Sequence, residues 1–289
     1  MQITGQTQLL GVIGYPIRHS LSPVMHNAAL RELGENYVYL PFPITPQDLP
    51  TAIAAFPLIG VKGFNVTIPH KQAIMPLLQG ITPTAQRIGA VNTVYWAEQG
   101  WQGTNTDGLG FVTPLTALDR DWSRVKAVIL GAGGSARAVV DGLAQLGCQH
   151  IQVVGRNLEK LAQFQQSWSA TDFYERLTVH SWESLPTLLS EAELIVNTTP
   201  VGMTPQIDQS PLAESLIQQL PKTAIAYDLI YTPRPTRFLQ LAQGQGLTVI
   251  DGLEMLVQQG AAALQLWLAQ PVPSDTMRQA LHRYLQKTA

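Results

Sequence analysis

The segment GAGGSAR at residues 131–137 constrains this chain most, because of what flanks it. Before it stands an apolar run, Lys126–Leu130, that suits one buried strand. After it, Val139, Leu143 and Leu146 recur at i, i+4 and i+7, and Gly147 is placed to end the helix they define. A strand, a glycine turn and a helix in immediate succession open a βαβ unit. Within the turn, Gly131, Gly133 and Ala136 fall at the GxGxxA spacing. The first glycine permits the tight turn, the second lets a pyrophosphate approach bare backbone, and the alanine lets helix and sheet pack closely. The free N–H groups of the helix start then face the anion. The spacing therefore predicts a dinucleotide site built from Gly131, Ala132, Gly133, Gly134, Ser135 and Ala136.

The surrounding sequence continues the same rhythm. Short apolar runs at Lys126–Leu130, Ile151–Val154, Leu177–Val179, Leu194–Asn197, Ala224–Asp228 and Leu247–Ile250 alternate with longer amphipathic stretches. Six such runs predict one open, doubly wound parallel sheet. The first part of the chain is also mixed α/β, but its strands end in polar turns: YPIRHSLSP at 15–23, NVTIPHK at 65–71 and NTDG at 105–108. The carboxyl ends of strands form the ligand crevice of α/β sheets, so this clustering predicts a site. A hairpin pairing Val91–Trp96 with Trp101–Asn105 puts Trp96 opposite Trp101 and Asn92 opposite Asn105, which brings Asn92 and Asp107 to one end. Leu253, Leu256, Val257, Gly260, Ala261, Leu264 and Leu268 predict a long C-terminal helix that returns to the first domain. The expected division is a substrate-binding catalytic domain over 1–107, completed by 253–289, and a dinucleotide-binding domain over 108–252.

Composition removes other classes of function. The 289 residues are enough for two domains, and 18 basic residues against 20 acidic ones form no basic stripe. Nucleic acid and membrane surfaces are therefore not expected partners. Cys148 is the sole cysteine, which rules out an intrachain disulfide and a thiolate metal cluster; it reads as a small core residue. His19, His26, His70, His150, His180 and His282 have no paired ligand spacing, so no metal is expected. No apolar run approaches the roughly 18 residues of a membrane span, and no targeting signal is evident. The expected location is the cytoplasm, and a homodimer is compatible with the sequence.

The end of the second run of the sheet selects the dinucleotide. An NAD site places an acid there on the ribose hydroxyls, whereas this chain has Gly155-Arg156-Asn157. Arg156 offers a planar cation for a 2′-phosphate, with Lys160 one helical turn later, so NADP is favoured. NTTPVGM at 197–203 follows a buried-looking strand and is expected, from its position, near the nicotinamide ribose, with Thr198 and Thr199 as its polar groups.

The chemical centre is read from scarcity. Lys62 and Lys71 are the only lysines in the first 107 residues, and Lys71 follows a strand end and a helix-starting Pro69. Asp107 lies just past the hairpin and can share its crevice. Hydride delivery to a ketone leaves an alkoxide that needs a proton; an ammonium can donate it and stabilise the developing anion, while a carboxylate orients the ammonium.

Taken in order, YPIRHSLSP, NVTIPHK, IGAVNT, NTDG, GAGGSAR, NTTPVGM, DLIYTPRPT and DGLEMLVQQ resemble the shikimate dehydrogenase family over nearly the whole chain. The resemblance implies an N-terminal α/β substrate domain, a Rossmann-like NADP domain and NADPH-dependent reduction of 3-dehydroshikimate to shikimate, with Lys71 and Asp107 as the catalytic pair. It implies that Ser20 and Ser22, helped by Tyr231, bind the substrate carboxylate. Thr67, Asn92, Asp107 and Gln259 would hold ring hydroxyls, and Leu229 and Gly252 would flank the nicotinamide. The chain departs from the family in GRN at 155–157, where Asn-Arg-Thr is frequent; the arginine is kept and one amide is lost. Two competing readings stay open: a relative that oxidises quinate as well as shikimate with relaxed cofactor use, and a non-catalytic NADP-binding sensor.

Overall fold

The computed structural model describes residues 2–288. One unit runs to Gly110 and resumes at Leu256; the other comprises Phe111–Met255. In the first unit, β1 (Gln8–Gly14), β2 (Tyr37–Pro43), β3 (Val61–Val66), β4 (Gly80–Ile81), β5 (Thr93–Ala97) and β6 (Gly100–Thr104) form one sheet in the order β2-β1-β3-β5-β6-β4. β1 is parallel to β2 and β3, while β5 is antiparallel to both β3 and β6. The hairpin has the expected register: Trp96 faces Trp101, their rings edge-on with centroids 4.8 Å apart. Its ladder ends at Thr93 and Thr104, one residue short of the expected Asn92–Asn105 pair. There the Asn105 amide turns away to the Ala90 carbonyl at 2.9 Å.

The C-terminal helices pack on this sheet. The indole N–H of Trp267, on the helix Leu253–Leu268, donates to the Val94 carbonyl at 3.0 Å. Gly63 makes room for that ring, since a Cβ there would lie 2.3 Å from the indole nitrogen. The last helix, Ser274–Thr288, packs against the helix Ser22–Glu32.

In the second unit, β7 (Lys126–Leu130), β8 (His150–Gly155), β9 (Leu177–Ser181), β10 (Leu194–Asn197), β11 (Ile225–Asp228) and β12 (Thr248–Ile250) are all parallel, in the order β12-β11-β10-β7-β8-β9. Alternate residues of each strand face opposite ways, and both faces are covered. Ala127 and Ile129 pack with Val139, Val140 and Leu143 of the helix Gly134–Gln145. Val128 and Leu130 pack on the other side with Leu185, Leu189, Phe238 and Leu239. The sheet winds outward in both directions from β7 and β10, so the order reverses at their carboxyl ends, where such sheets bind ligands.

Candidate active site

In the first unit, β3 passes into a turn that Pro69 converts to the short helix His70–Ala73, and this helix carries Lys71. The Lys71 carbonyl accepts the Val91 N–H at 2.8 Å, tying the lysine to the segment that leads into Asn92. Asp107 is the first residue of the helix Asp107–Thr116, where a carboxylate suits the helix dipole. Its backbone N–H is held by Asn105 Oδ1 at 2.9 Å. Lys71 Nζ donates to Asp107 Oδ2 at 2.5 Å, the two side chains 14% and 8% exposed. Asp107 Oδ1 accepts from Asn92 Nδ2 at 2.8 Å, and the same amide lies 3.4 Å from Gln259 Oε1. Lys71, Asn92, Asp107 and Gln259 thus meet although 188 residues of chain separate the first from the last. A charge-assisted bond of this kind, largely shielded from water, fixes an ammonium toward one spot and keeps its charge effective there.

Sequence reasoning missed Thr106 in this cluster. Its hydroxyl accepts from Asn92 Nδ2 at 3.0 Å and donates to the Gln259 carbonyl at 3.0 Å, and its N–H donates to Asn92 Oδ1 at 2.8 Å. Its place inside NTDG was the available signal. Ser20 and Ser22 flank the start of the helix Ser22–Glu32, and the Ser22 N–H donates to Ser20 Oγ at 3.3 Å. Thr67 lies half-buried against Gly14, where a Cβ would fall 2.5 Å from the threonine methyl.

In the second unit the glycine turn has the geometry its sequence requires. Gly131 has φ +102°, favourable to glycine, and donates its N–H to the Val154 carbonyl at 2.8 Å. Thr198 donates both its N–H, at 3.1 Å, and its hydroxyl, at 2.7 Å, to the Leu130 carbonyl, which joins the ends of β7 and β10. Gly133 opens the helix Gly134–Gln145, and the space a Cβ would occupy there is empty. Gly134 and Ser135 stand in the first turn, and Ala136 is fully buried against the sheet. Arg156 is exposed, its guanidinium carbon 5.0 Å from the centre of the Trp182 ring, which holds a planar cation at the end of β8. Asn157 has a role the sequence reading did not assign. Its Oδ1 accepts the Lys160 N–H at 2.9 Å and caps the helix Leu158–Gln166, which leaves its amide as the free donor. Lys160 is exposed in that first turn.

Two further loops carry the remaining residues. Gly252 donates to the Ile230 carbonyl at 3.2 Å, and a Cβ on it would lie 2.1 Å from the Leu229 carbonyl oxygen, so Leu229 and Gly252 touch through backbone. Tyr231 is half-buried two residues after Leu229. Behind them, Asp228 accepts from Asn197 Nδ2 at 3.0 Å, the Ile230 N–H at 3.1 Å and the Thr236 hydroxyl at 2.6 Å. Burial pushes this carboxyl up to about 6, against the lowering effect of those three bonds. Asn197 also holds the Thr199 N–H and hydroxyl on its Oδ1, at 3.0 and 2.7 Å. Asn197 and Asp228 therefore knit the 197–203 and 228–236 loops together. An open glycine backbone at a helix start, a flat cation and no acid at Gly155-Arg156-Asn157 fit NADP. Among the described residues, no cluster of His, Cys, Asp or Glu could hold a metal ion, and no helix is long and apolar enough to cross a membrane.

Residues 12–94 match the shikimate dehydrogenase substrate binding domain, residues 115–255 match shikimate / quinate 5-dehydrogenase, and residues 252–282 match the shikimate 5'-dehydrogenase C-terminal domain. The chain is 62% identical to a shikimate dehydrogenase (NADP(+)) of Synechocystis sp. over 287 residues, 99% of each chain. A crystal structure of a shikimate dehydrogenase in complex with NADP+ superposes with a TM-score of 0.88 at 37% identity, covering 98% of both chains. The Thermus thermophilus shikimate 5-dehydrogenase, solved with NADP(H) and shikimate, superposes with a TM-score of 0.84 at 35% identity, over 96% of this chain and 99% of that one. Matched over nearly its whole length by these domains and relatives, the chain belongs to the shikimate dehydrogenase family.

Proposed function

We propose that this protein catalyses the reversible, NADP-linked reduction of 3-dehydroshikimate to shikimate, with Lys71 and Asp107 as the catalytic pair. The observation that carries the reading is the 2.5 Å contact of the Lys71 ammonium with the Asp107 carboxylate inside a shielded polar cluster. Bound NADPH supplies the hydride that the carbonyl carbon accepts. Lys71 gives a proton to the oxygen, and in the reverse direction it takes that proton back. Asp107 and Asn92 keep Nζ from wandering and address the neighbouring ring hydroxyls, together with Thr67 and Gln259. Ser20 and Ser22, with Tyr231, take the carboxylate; neutral hydroxyl donors suffice for an anion without a competing lysine or arginine. On the cofactor side, residues 131–136 and Thr198 serve the pyrophosphate and ribose, Arg156, Asn157 and Lys160 the 2′-phosphate, and Leu229 and Gly252 the nicotinamide. With this reading go a cytoplasmic location, in keeping with the lone buried Cys148, and assembly as a homodimer.

The direct test follows NADP+ reduction by absorbance with shikimate as substrate, with quinate and NAD+ as parallel arms. Turnover of shikimate with NADP+ is expected to dominate; strong quinate oxidation with NAD+ would replace this reading with the relaxed one. Arg156→Ala should weaken NADPH by up to about 2–3 kcal/mol, the worth of a bidentate contact to phosphate, and NADH far less. Equal losses of both in a binding titration would remove Arg156 from 2′-phosphate recognition.

A further inference from the structure

Behind the candidate site lies a buried row of polar side chains that the proposed reaction does not touch. Tyr39 on β2 is fully buried, and its phenol donates to Asn65 Oδ1 on β3 at 2.7 Å. Because the Asn65 carbonyl is taken, its amide faces the other way, donating to Thr93 Oγ1 and to the Asn92 carbonyl, both at 3.1 Å. Thr93 is fully buried and has one hydroxyl proton. Having accepted from Asn65, it donates to Asn92 Oδ1 at 2.9 Å, a shorter approach than the 3.3 Å to Thr106 Oγ1. Asn92 Oδ1 also receives the Thr106 N–H, so both its lone pairs are filled. Its Nδ2 is left to donate to Asp107 Oδ1 at 2.8 Å and to Thr106 Oγ1 at 3.0 Å. Each donor in the row therefore fixes the sense of the next.

We propose that Thr93 is a positioning residue for the reaction assigned above, on which this inference rests: its hydroxyl, oriented by Asn65 and Tyr39, locks Asn92 as a donor toward Asp107. A flipped Asn92 amide would set its carbonyl against the Asp107 carboxylate and its N–H groups against the Thr106 N–H, leaving buried groups of like sign facing each other. Thr93 never touches substrate and acts entirely through Asn92. It lies next to Asn92 in the chain, yet its own orientation is set from β2 and β3.

The test is Thr93→Val, which keeps the branched shape and removes the hydroxyl, beside Thr93→Ser, which restores it. Thr93→Val should keep the fold and the KM for NADP+ while kcat/KM for shikimate falls roughly 10- to 100-fold, the scale of a misplaced site group; Thr93→Ser should recover most of that loss. In an Asn92→Ala background, Thr93→Val should cost nothing further. A wild-type kcat/KM in Thr93→Val, or an equal loss on the Asn92→Ala background, would overturn the proposal. A second readout needs no turnover. The Asn92 side-chain N–H protons, followed by nitrogen-15 NMR, should exchange with solvent faster in Thr93→Val, and an unchanged rate would overturn the positioning role. Absence of wild-type activity on shikimate would instead overturn the function while this exchange measurement still decides the role of Thr93.

Discussion

Replacing Lys71 with alanine is expected to lower kcat roughly 10²- to 10⁴-fold, the range over which a positioned proton donor acts. The alkoxide formed at the carbonyl oxygen would lose both its proton source and the nearest positive charge. The fold should survive, because Lys71 stands in a four-residue helix and its side chain contributes no buried apolar packing to the first unit's core. Asp107 would not be orphaned either, since Asn92 still donates to its Oδ1 and its N–H stays on Asn105. Lys71→Arg should also be poor despite its charge: a guanidinium does not give up its proton at physiological pH, and its planar fork does not reproduce the point donor at 2.5 Å from Asp107. Separate determination of kcat, KM and the thermal midpoint for both variants checks this. Turnover at the wild-type level in Lys71→Ala, with an unshifted midpoint, would take the lysine out of the chemistry.

Much of this arrangement is legible in the sequence because its signals are local. The central strands β7, β10 and β11 of the second unit are almost wholly buried on both faces, so they read as apolar runs. The observed limits of β7 and β10 coincide with Lys126–Leu130 and Leu194–Asn197. The Lys71–Asp107 contact is legible for a different reason. Fixed charges make up only 13% of the chain, so a lysine and an aspartate at two strand-end turns stand out. The supporting row is not legible. Tyr39, Asn65 and Thr93 come from three strands, and tyrosine and threonine in a strand read as ordinary sheet formers. Asp228 is hidden in the same way at the end of an apolar run, and its partners Asn197 and Thr236 lie 31 and 8 residues away. Asn157 carried a readable signal, an asparagine immediately before a helix, but its nearness to Arg156 drew it into the cofactor reading instead.

The stability of the folded chain is expected to carry a pH-dependent contribution from His26 that substitution removes. This imidazole is fully buried, stacked on Tyr39 with centroids 4.1 Å apart and planes 9° from parallel, and neither ring nitrogen has a hydrogen-bond partner among the described residues. Burial lowers its pKa from 6.5 to about 3. Below 6.5 the unfolded chain takes up a proton that the folded chain refuses, so this group's contribution to stability is lost as pH falls from 6.5 toward 3. The slope approaches about 1.4 kcal/mol per pH unit. Asp228 acts in the opposite sense. Its carboxyl, raised to about 6 from 3.8, holds a proton between those values that the unfolded chain has released, so falling pH there favours the folded state. The two offset each other in the wild type between about pH 6 and 4 and flatten its profile. Urea unfolding from pH 7 to 4.5 should separate them: His26→Phe, which keeps a stacked ring, should gain stability relative to wild type as the solution is acidified, and Asp228→Asn should lose it. Crowding from the new ring, for which Gly260 leaves room since a Cβ there would lie 3.2 Å from His26 Nε2, would shift the His26→Phe curve at every pH without changing its slope. A stability difference between wild type and His26→Phe that stays constant across this range would show that the buried imidazole accepts its proton as easily folded as unfolded, against the burial described here.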